Sequence, residues 1–327
     1  MKIRYCSNKK VSQLIYFLKL NWVKKTILFS NKFLFDWMYY DHKLKKYNFL
    51  ITEKKNVITS CLGILKNKKA ILWLSIWFSD TKKSNSGLDL LYYLLKNFKK
   101  RIIAANGINI KTIPIYKALG FKVDFLNHHF LINPIIKKYK LIKVNKINKP
   151  VAIKNSIKIN IDKNLNFLKK NKYLKKFENI FLKDYDYYSQ KYLKHPTYEY
   201  NFYTISRNKI FFGFFVGRVC KYKSSTCLRF VEYYGSVNIL QNIKYPLLDL
   251  IKGTKHEYID FYNLGIEKNI LKKAGFSLNK FKDELIIPNY YEPFVKKNIK
   301  ICCTFWPKIS KLIIFKGDGD QDRPNQV

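Results

Sequence analysis

One succession of elements is written twice in this chain of 327 residues. Residues 109–121 read NIKTIPIYKALGF and residues 264–276 read LGIEKNILKKAGF, each a short helical stretch closed by a small or apolar residue, Gly and Phe. A Gly at that position takes the positive φ that ends a helix, and the Phe starts the next strand. The elements ahead of the joint also recur. In the first half, YNFLITE (47–53), VITSCLGIL (57–65) and AILWLSIWFS (70–79) read as three antiparallel strands on short charged connectors. A helix from 88, a strand at 101–105 and the joint helix follow, and FKVDF with HHFLIN reads as a closing hairpin. In the second half the strands are EYNFYTIS (199–206), KIFFGFFVGRV (209–219) and TCLRFVEYYGS (226–236). A helix near 242–252, the strand EYIDFYNL (257–264) and a helix over 266–273 complete the copy.

Such a repeat predicts an α/β (α+β) chain of two tandem lobes, each a mixed, mainly antiparallel sheet flanked by helices. The expected divisions are a first lobe at 1–135, a Lys-rich linker at 136–156, a second lobe at 157–315 and an acidic tail at 316–327. A helix is expected over 11–24, with Leu14, Phe17, Leu18 and Trp22 on one face, and a helical stretch over 162–193.

The formal charge of +41, from 63 Lys and Arg against 22 Asp and Glu, attracts polyanions. The basic residues are spread along the chain, which favours a diffuse field over a dedicated nucleic-acid footprint. The six cysteines, at 6, 61, 220, 227, 302 and 303, form no CxxC and read as reduced, buried thiols of a cytoplasmic protein. The first residues, MKIRYCSNKKVSQ, lack the apolar core of a signal peptide. The most apolar runs, AILWLSIWF and IFFGFFVG, are too short to span a bilayer and read as buried strands. In the tail, Asp318, Asp320 and Asp322 alternate as in a calcium loop, but the sixth-position Gly and closing Glu are missing, so no metal is expected. With three carboxylates in so basic a chain, the tail is expected to dock into a basic cleft, a disordered terminus being the alternative.

In the first joint, Asn109 and Tyr116 are seven residues apart, a spacing that places two side chains on one face of an α-helix. The pattern of Asn, then Tyr, then Leu119, Gly120 and Phe121 resembles that of the GNAT superfamily of acyl-CoA-dependent N-acyltransferases, over roughly residues 1–133. The resemblance implies that Asn109 contacts the pantetheine arm and that Tyr116 protonates the departing thiolate, which a phenol of suitable pKa can do. It implies acetyl-CoA or another acyl-CoA as donor, lying in a gap between diverging strands. Backbone N–H groups near Leu74 and Ile76 would polarise the thioester carbonyl. The family's pyrophosphate loop corresponds here to KKSNSG: Lys82 stands for the usual Arg or Gln, Asn85 for the first Gly, followed by Ser86 and the retained Gly87. An ordinary N-capping turn explains the same residues.

Asp80, Glu53 and the pair His128–His129 are the available general bases in the first half. In the second half, Leu264 and Leu271 stand where Asn109 and Tyr116 stood, which suggests a degenerate copy. Glu232 is the one carboxylate in an apolar strand run, and reads as a base, an amine anchor or a solvent-facing side chain. The stretch YYSQKYLKHPTYEYNFY (187–203) and the Asp-rich tail KGDGDQDRPN (316–325) also resemble parts of tandem GNAT-like proteins of bacterial surface-polysaccharide gene clusters. That likeness implies an amino-sugar or nucleotide-linked sugar acceptor. The tandem GNAT-like aminoacyl-tRNA-dependent transferases and a non-catalytic glycan- or partner-binding protein are the alternatives. The oligomeric state is open.

Overall fold

A computed structural model describes residues 2–22, 26–67, 71–82, 86–144, 156–170 and 183–325. They fall into two compact units. The first holds residues 1–124, 302–309 and 319–327, and the second holds 125–301 and 310–318. In chain order the first half forms β1 (Ile3–Ser7), α1 (Val11–Asn21), α2 (Ile27–Ser30), α3 (Lys32–Tyr39), β2 (Tyr40–Asp41), β3 (Lys46–Lys54), β4 (Val57–Asn67) and β5 (Ile71–Ser79). Next come α4 (Gly87–Asn97), β6 (Ile102–Asn106), α5 (Ile113–Ala118), β7 (Lys122–Phe125) and β8 (Asn127–Ile132). The second half forms β9 (Ile157–Asp162), α6 (Asn166–Lys170), α7 (Tyr185–Tyr188), β10 (Asn201–Arg207), β11 (Ile210–Tyr222) and β12 (Ser225–Gly235). It continues with α8 (Lys244–Lys252), β13 (His256–Leu264), α9 (Lys268–Lys273), β14 (Ser277–Leu278), β15 (Tyr290–Tyr291), β16 (Phe294–Val295), β17 (Cys302–Trp306) and β18 (Ile314–Phe315).

The fold is mixed α/β, with two sheets of mixed strand orientation flanked by helices. The first sheet runs β1-β3-β4-β5-β6-β17-β7, and the second β14-β8-β13-β12-β11-β10-β9. The central meanders are antiparallel, and the β5–β6 and β12–β13 pairs are parallel. Both meanders open with the same turn: Lys55–Asn56 and Asn208–Lys209 each place two consecutive residues at positive φ, as a two-residue type I′ hairpin requires. One face of the first sheet packs Phe49, Ile51, Cys61 and Ile76 against α1, α2 and α3. The other packs Leu62, Leu72, Leu74 and Ile103 against α4 and α5. Side chains of this size contribute about 1.5–3 kcal/mol each when fully buried. The six cysteines are free and buried. Among the described residues no helix is long and apolar enough to cross a membrane.

Four sequence expectations change. The segments read as a closing hairpin do not pair with each other: β7 ends the first sheet, while β8 pairs with β13 in the second. The place beside β6 is taken by β17, from near the other end of the chain. The reason lies in Leu126, which the hairpin reading puts in the turn. It is buried, and its N–H bonds the carbonyl of Ile301. The expected helix over 162–193 is instead the end of the edge strand β9, the short helices α6 and α7, and a π turn over 189–193; residues 171–182 are outside the described set. Ile157, Ile159 and Ile161 alternate with polar residues, which is a strand period. Helix α1 ends at Asn21, so Trp22 follows the helix; it is 37% exposed and meets edge-on the Phe78 ring that also packs on Phe17. Within the expected linker, Leu141 and Ile142 are core residues of the second unit. Glu257 fixes that segment by accepting from the backbone N–H groups of Lys140 (2.9 Å) and Leu141 (2.8 Å). The remainder, 145–155, is outside the described residues.

Candidate active site

In the first sheet, β4 and β5 lose register between Leu62–Trp77 and Ile64–Leu74, so Gly63 faces two residues, Ser75 and Ile76. This is a β-bulge, and it flips the side-chain alternation. Leu74 lies on the α4/α5 face, Ile76 on the α1–α3 face, and Trp77 returns to the α4/α5 face. The Ser75 hydroxyl meets that of Tyr39 at 3.2 Å on the Ile76 side. A bulge turns backbone N–H groups out of the ladder, at the stretch expected to polarise a carbonyl. The parallel β5–β6 pairing ends at Leu74–Ala105. Among the described residues no strand of the first sheet inserts between β5 and β6 beyond it.

Tyr116 reaches this junction from α5. Its ring packs edge-on against Trp77 (centroids 5.7 Å apart) and Phe121 (5.2 Å). The residue is 2% exposed, and burial pushes its phenol well above the ordinary tyrosine range. The hydroxyl is protonated at neutral pH, as any tyrosine is, and the shift makes it a weaker acid than an exposed phenol. The Trp77 indole N–H donates to the carbonyl of Gly87 at 2.8 Å, tying β5 to the start of α4. A Cβ on Gly87 would meet the Ser79 Cβ at 2.8 Å, so only glycine allows that approach. Tyr116, Trp77, Leu74 and Gly87 thus come together.

Other expected site residues do not. Asn109 and Tyr116 do not share a face, because residues 110–112 form a 3₁₀ turn and α5 starts only at Ile113. Three residues per turn break the seven-residue register. Asn109 is the exposed cap of that turn, its Oδ1 accepting from the Lys111 N–H at 3.0 Å. In the stretch expected to bind pyrophosphate, Lys82 is exposed and Asn85 lies outside the described residues. Ser86 is buried and its hydroxyl turns inward, 2.8 Å from Thr52 Oγ1 and 2.8 Å from Ser60 Oγ, so it makes no cap. Asp89 sits in the first turn of α4, a charge that weakens the pull of this helix end on an anion. The glycine at 87 is explained by its approach to Ser79, and neither Ser86 nor Asp89 contributes to holding a pyrophosphate.

The joint itself has a structural explanation. The Gly120 N–H bonds the Lys117 carbonyl (3.0 Å) and the Phe121 N–H bonds the Tyr116 carbonyl (3.0 Å), with Gly120 at φ +79°. This is a Schellman cap, and the Tyr116–Phe121 ring contact is its usual apolar partner. The second joint repeats both bonds, Gly275 to Lys272 and Phe276 to Leu271, with Gly275 at φ +92°.

The general bases expected from the sequence are engaged elsewhere. Glu53 pairs with Arg4 and with Lys10 (3.0 Å), and Asp80 accepts from the Lys82 N–H at 3.2 Å. His128 and His129 belong to the second sheet, are buried, and are held below the ordinary histidine range by burial, His129 at about 4.

Glu232 is fully buried rather than solvent-facing. The second sheet has its own bulge there, Val231 being the extra residue between Gly217–Phe230 and Val216–Glu232. The carboxylate accepts from Lys183 (2.9 Å), Tyr188 (2.8 Å), Tyr187 (3.2 Å) and Tyr192. Burial pushes the carboxyl up, and Lys183 and then Lys191 more than offset this, so it sits below its usual range. A depressed pKa and four donors make a poor general base. Lys183 also pairs with Asp318 at 2.8 Å, so this tail carboxylate meets a cation of the second unit, whereas Asp320 pairs with Arg323 inside the tail. In the first unit the following tail residues lie by the strand gap: a Cβ on Gly319 would meet the Trp73 ring at 3.3 Å, and one on Gly107 would collide with the Gln321 side chain. Sequence reasoning passed over Lys183, Tyr188 and Gln321. Among the described residues no cluster of His, Cys, Asp and Glu could hold a metal ion.

No protein-family model matches the chain. No curated protein matches it either. Among solved structures, it is similar to a GCN5-related N-acetyltransferase from Anabaena variabilis ATCC 29413, with a TM-score of 0.55 at 10% identity, covering 93% of this chain and 72% of that one. It is also similar to a conserved protein of unknown function from Enterococcus faecalis V583, a probable N-acyltransferase, with a TM-score of 0.57 at 9% identity, covering 92% and 72%. At these identities the likeness is one of fold.

Proposed function

We propose that the protein is an acyl-CoA-dependent N-acyltransferase whose donor site lies in the first unit. The observation that carries this is the meeting of Tyr116, Trp77 and the start of α4 beside the Ser75–Ile76 bulge, at the end of β5–β6 pairing. When bound, the acyl-CoA supplies a thioester. Backbone N–H groups at the bulge would polarise its carbonyl, and as the C–N bond to the acceptor amine formed and the C–S bond broke, Tyr116 would give its proton to sulfur and regain one from solvent. The amine sheds its proton to solvent, since Glu53, Asp80, His128, His129 and Glu232 are all engaged elsewhere. In this reading Gln321, which packs on Gly107 just past the end of β6, is the tail side chain nearest the gap.

The acceptor in this reading is an amino sugar, free or nucleotide-linked, in surface-polysaccharide assembly. The positive field suits a diphosphate-bearing substrate, and the sequence likeness to polysaccharide-cluster proteins carries the pathway. The burial of Tyr116 as part of a helix cap supports a second reading, in which the phenol is purely structural and the protein binds without catalysis. Tyr116→Phe separates the two. It keeps the ring packing and removes the proton, so turnover with acetyl-CoA and an amino sugar should drop about 100-fold with CoA affinity unchanged. Unchanged turnover, or no turnover by the parent protein over a panel of amines, selects the structural reading.

A further inference from the structure

The second unit has the same parallel pair as the first, and the same place where it opens. Pairing of β12 with β13 ends at Phe230–Phe261, one residue before the Val231 bulge. There the chain supplies its own occupant. Ile314 and Phe315 pair with Leu264 and Asn263 of β13, and the Lys316 N–H reaches the Tyr262 carbonyl at 3.3 Å. One residue later the segment crosses to the other side, the Gly317 N–H bonding the carbonyl of Val231 on β12 at 2.7 Å. A single stretch thus takes up backbone groups of both strands at their divergence.

Three features lock it there. Asp318 pairs with buried Lys183 through one oxygen and accepts from the Phe315 N–H (2.8 Å) through the other. Lys191 donates to the Gly317 carbonyl. Gly317 is the only residue type that fits, since a Cβ would meet the Tyr192 hydroxyl at 2.4 Å and the Val231 carbonyl oxygen at 2.8 Å. Residues 314–318 are all buried.

We infer that residues 314–318 occupy, in the second unit, the place where an acyl-CoA would lie between the diverging strands, which leaves the first unit as the candidate donor site among the described residues. The inference rests on the acyl-CoA reading for the meaning of the gap, and on the geometry alone for its closure. An extended ligand carrying amides, such as pantetheine, needs unpaired strand N–H and C=O groups at the divergence. In the second unit the carbonyls of Val231 and Tyr262 are already bonded to the tail. The unit also lacks a phenol at its joint, where Leu271 stands for Tyr116. The second gap is therefore a receptor for the chain's own strand.

Two measurements on the unmodified protein test this. Amide hydrogen exchange with and without saturating CoA should show Phe315, Lys316 and Gly317 exchanging at least about 1,000-fold slower than an unstructured peptide in both states. Calorimetric titration should give one CoA per chain. A second equivalent of CoA, loss of protection at 315–317 on adding CoA, or fast exchange there in the free protein each overturns the inference. No CoA binding with those amides still protected removes the transferase reading and leaves the closed gap standing.

Discussion

The two bulges make the most informative comparison in the molecule. Ser75–Ile76 in β5 and Val231–Glu232 in β12 are the same irregularity, one extra residue in the strand that next pairs in parallel, with two successive side chains turned to one face. Their contents are opposite. Ile76 is buried among Phe49, Cys61 and Tyr39. Glu232 is buried among Lys183, three tyrosine hydroxyls and the segment that ends in Asp318. The backbone device that opens a strand gap is thus kept in both units, and the side chains decide whether the gap is lined or filled. A bulge alone is therefore no sign of an active site.

The comparison breaks most visibly at Lys183. Lys183→Met leaves Glu232 and Asp318 buried, like-charged and without their shared cation. Removing one partner of a buried ion cluster costs about 3–5 kcal/mol. Ile76→Val, at the equivalent place in the first unit, should cost about 0.5–1.5 kcal/mol. Without the lysine, the two carboxyls bind protons more readily in the folded than in the unfolded state, so the variant should lose less stability at pH 5 than at pH 8. Denaturant unfolding of both variants at the two pH values measures this. Equal, small losses at 183 and 76 would mean that the ion cluster does not hold the tail strand.

Acid should also separate the units. His128 and His129 are buried in the second sheet with folded pKa values below that of the unfolded chain. A depressed histidine favours the fold above the unfolded pKa, near 6.5, and that contribution is lost as pH falls toward the folded value. The slope is about 1.4 kcal/mol per pH unit for each histidine. For His129 the loss runs from near 6.5 down to about 4. The first unit holds His42, which is exposed. Hydrogen exchange at falling pH should therefore show the second sheet opening before the first. Asn127, with Asn263 and Asn279 (each 3.2 Å from a histidine ring nitrogen), belongs to the segments that should report it first.

Much of this was legible in the sequence. The meanders, the helices ahead of each joint and the two Gly-Phe caps follow from apolar period and from glycine placement. What was not legible depends on partners distant in the chain. Residues 122–125 and 127–132 read as a hairpin because each is strand-like, yet which sheet a strand joins is a tertiary choice; the one local signal was a buried-type Leu at the turn. The run ILWLSIWFS is apolar at nearly every position, so it carries no alternation from which the Ser75–Ile76 flip could be read. Glu232 stood out as a carboxylate in an apolar strand, but its lysine and tyrosines lie 40 or more residues away, as Tyr192 and Tyr188 show. Asn109 failed for a local reason. A Pro at 114 and a 3₁₀ first turn interrupt the α-helical spacing that the Asn–Tyr pattern presumes.

The smallest expected effect tests whether the two joints are one device. Gly120 and Gly275 hold the same position in their caps, at φ +79° and +92°. At Gly120 an added Cβ meets no atom within 4 Å, so Gly120→Ala carries only the cost of a left-handed backbone, about 1–2 kcal/mol. At Gly275 the Cβ meets Lys244 Cγ at 3.0 Å, the middle of a flexible side chain that can swing aside. Gly275→Ala should therefore cost the same within about 0.5 kcal/mol, a spread ordinary for equivalent surface sites. Asn, which tolerates the left-handed region, should recover part of the loss at both positions. Activity sharpens the point: Gly120→Ala moves the end of α5 and with it Tyr116, whereas Gly275→Ala moves Leu271. Equal stability losses with a turnover loss confined to Gly120→Ala would show that one cap carries the chemistry and the other its scaffold. Unequal stability losses, with Gly275→Ala the costlier by more than about 1 kcal/mol, would instead mean that the second joint is held by packing on Lys244 rather than by the cap.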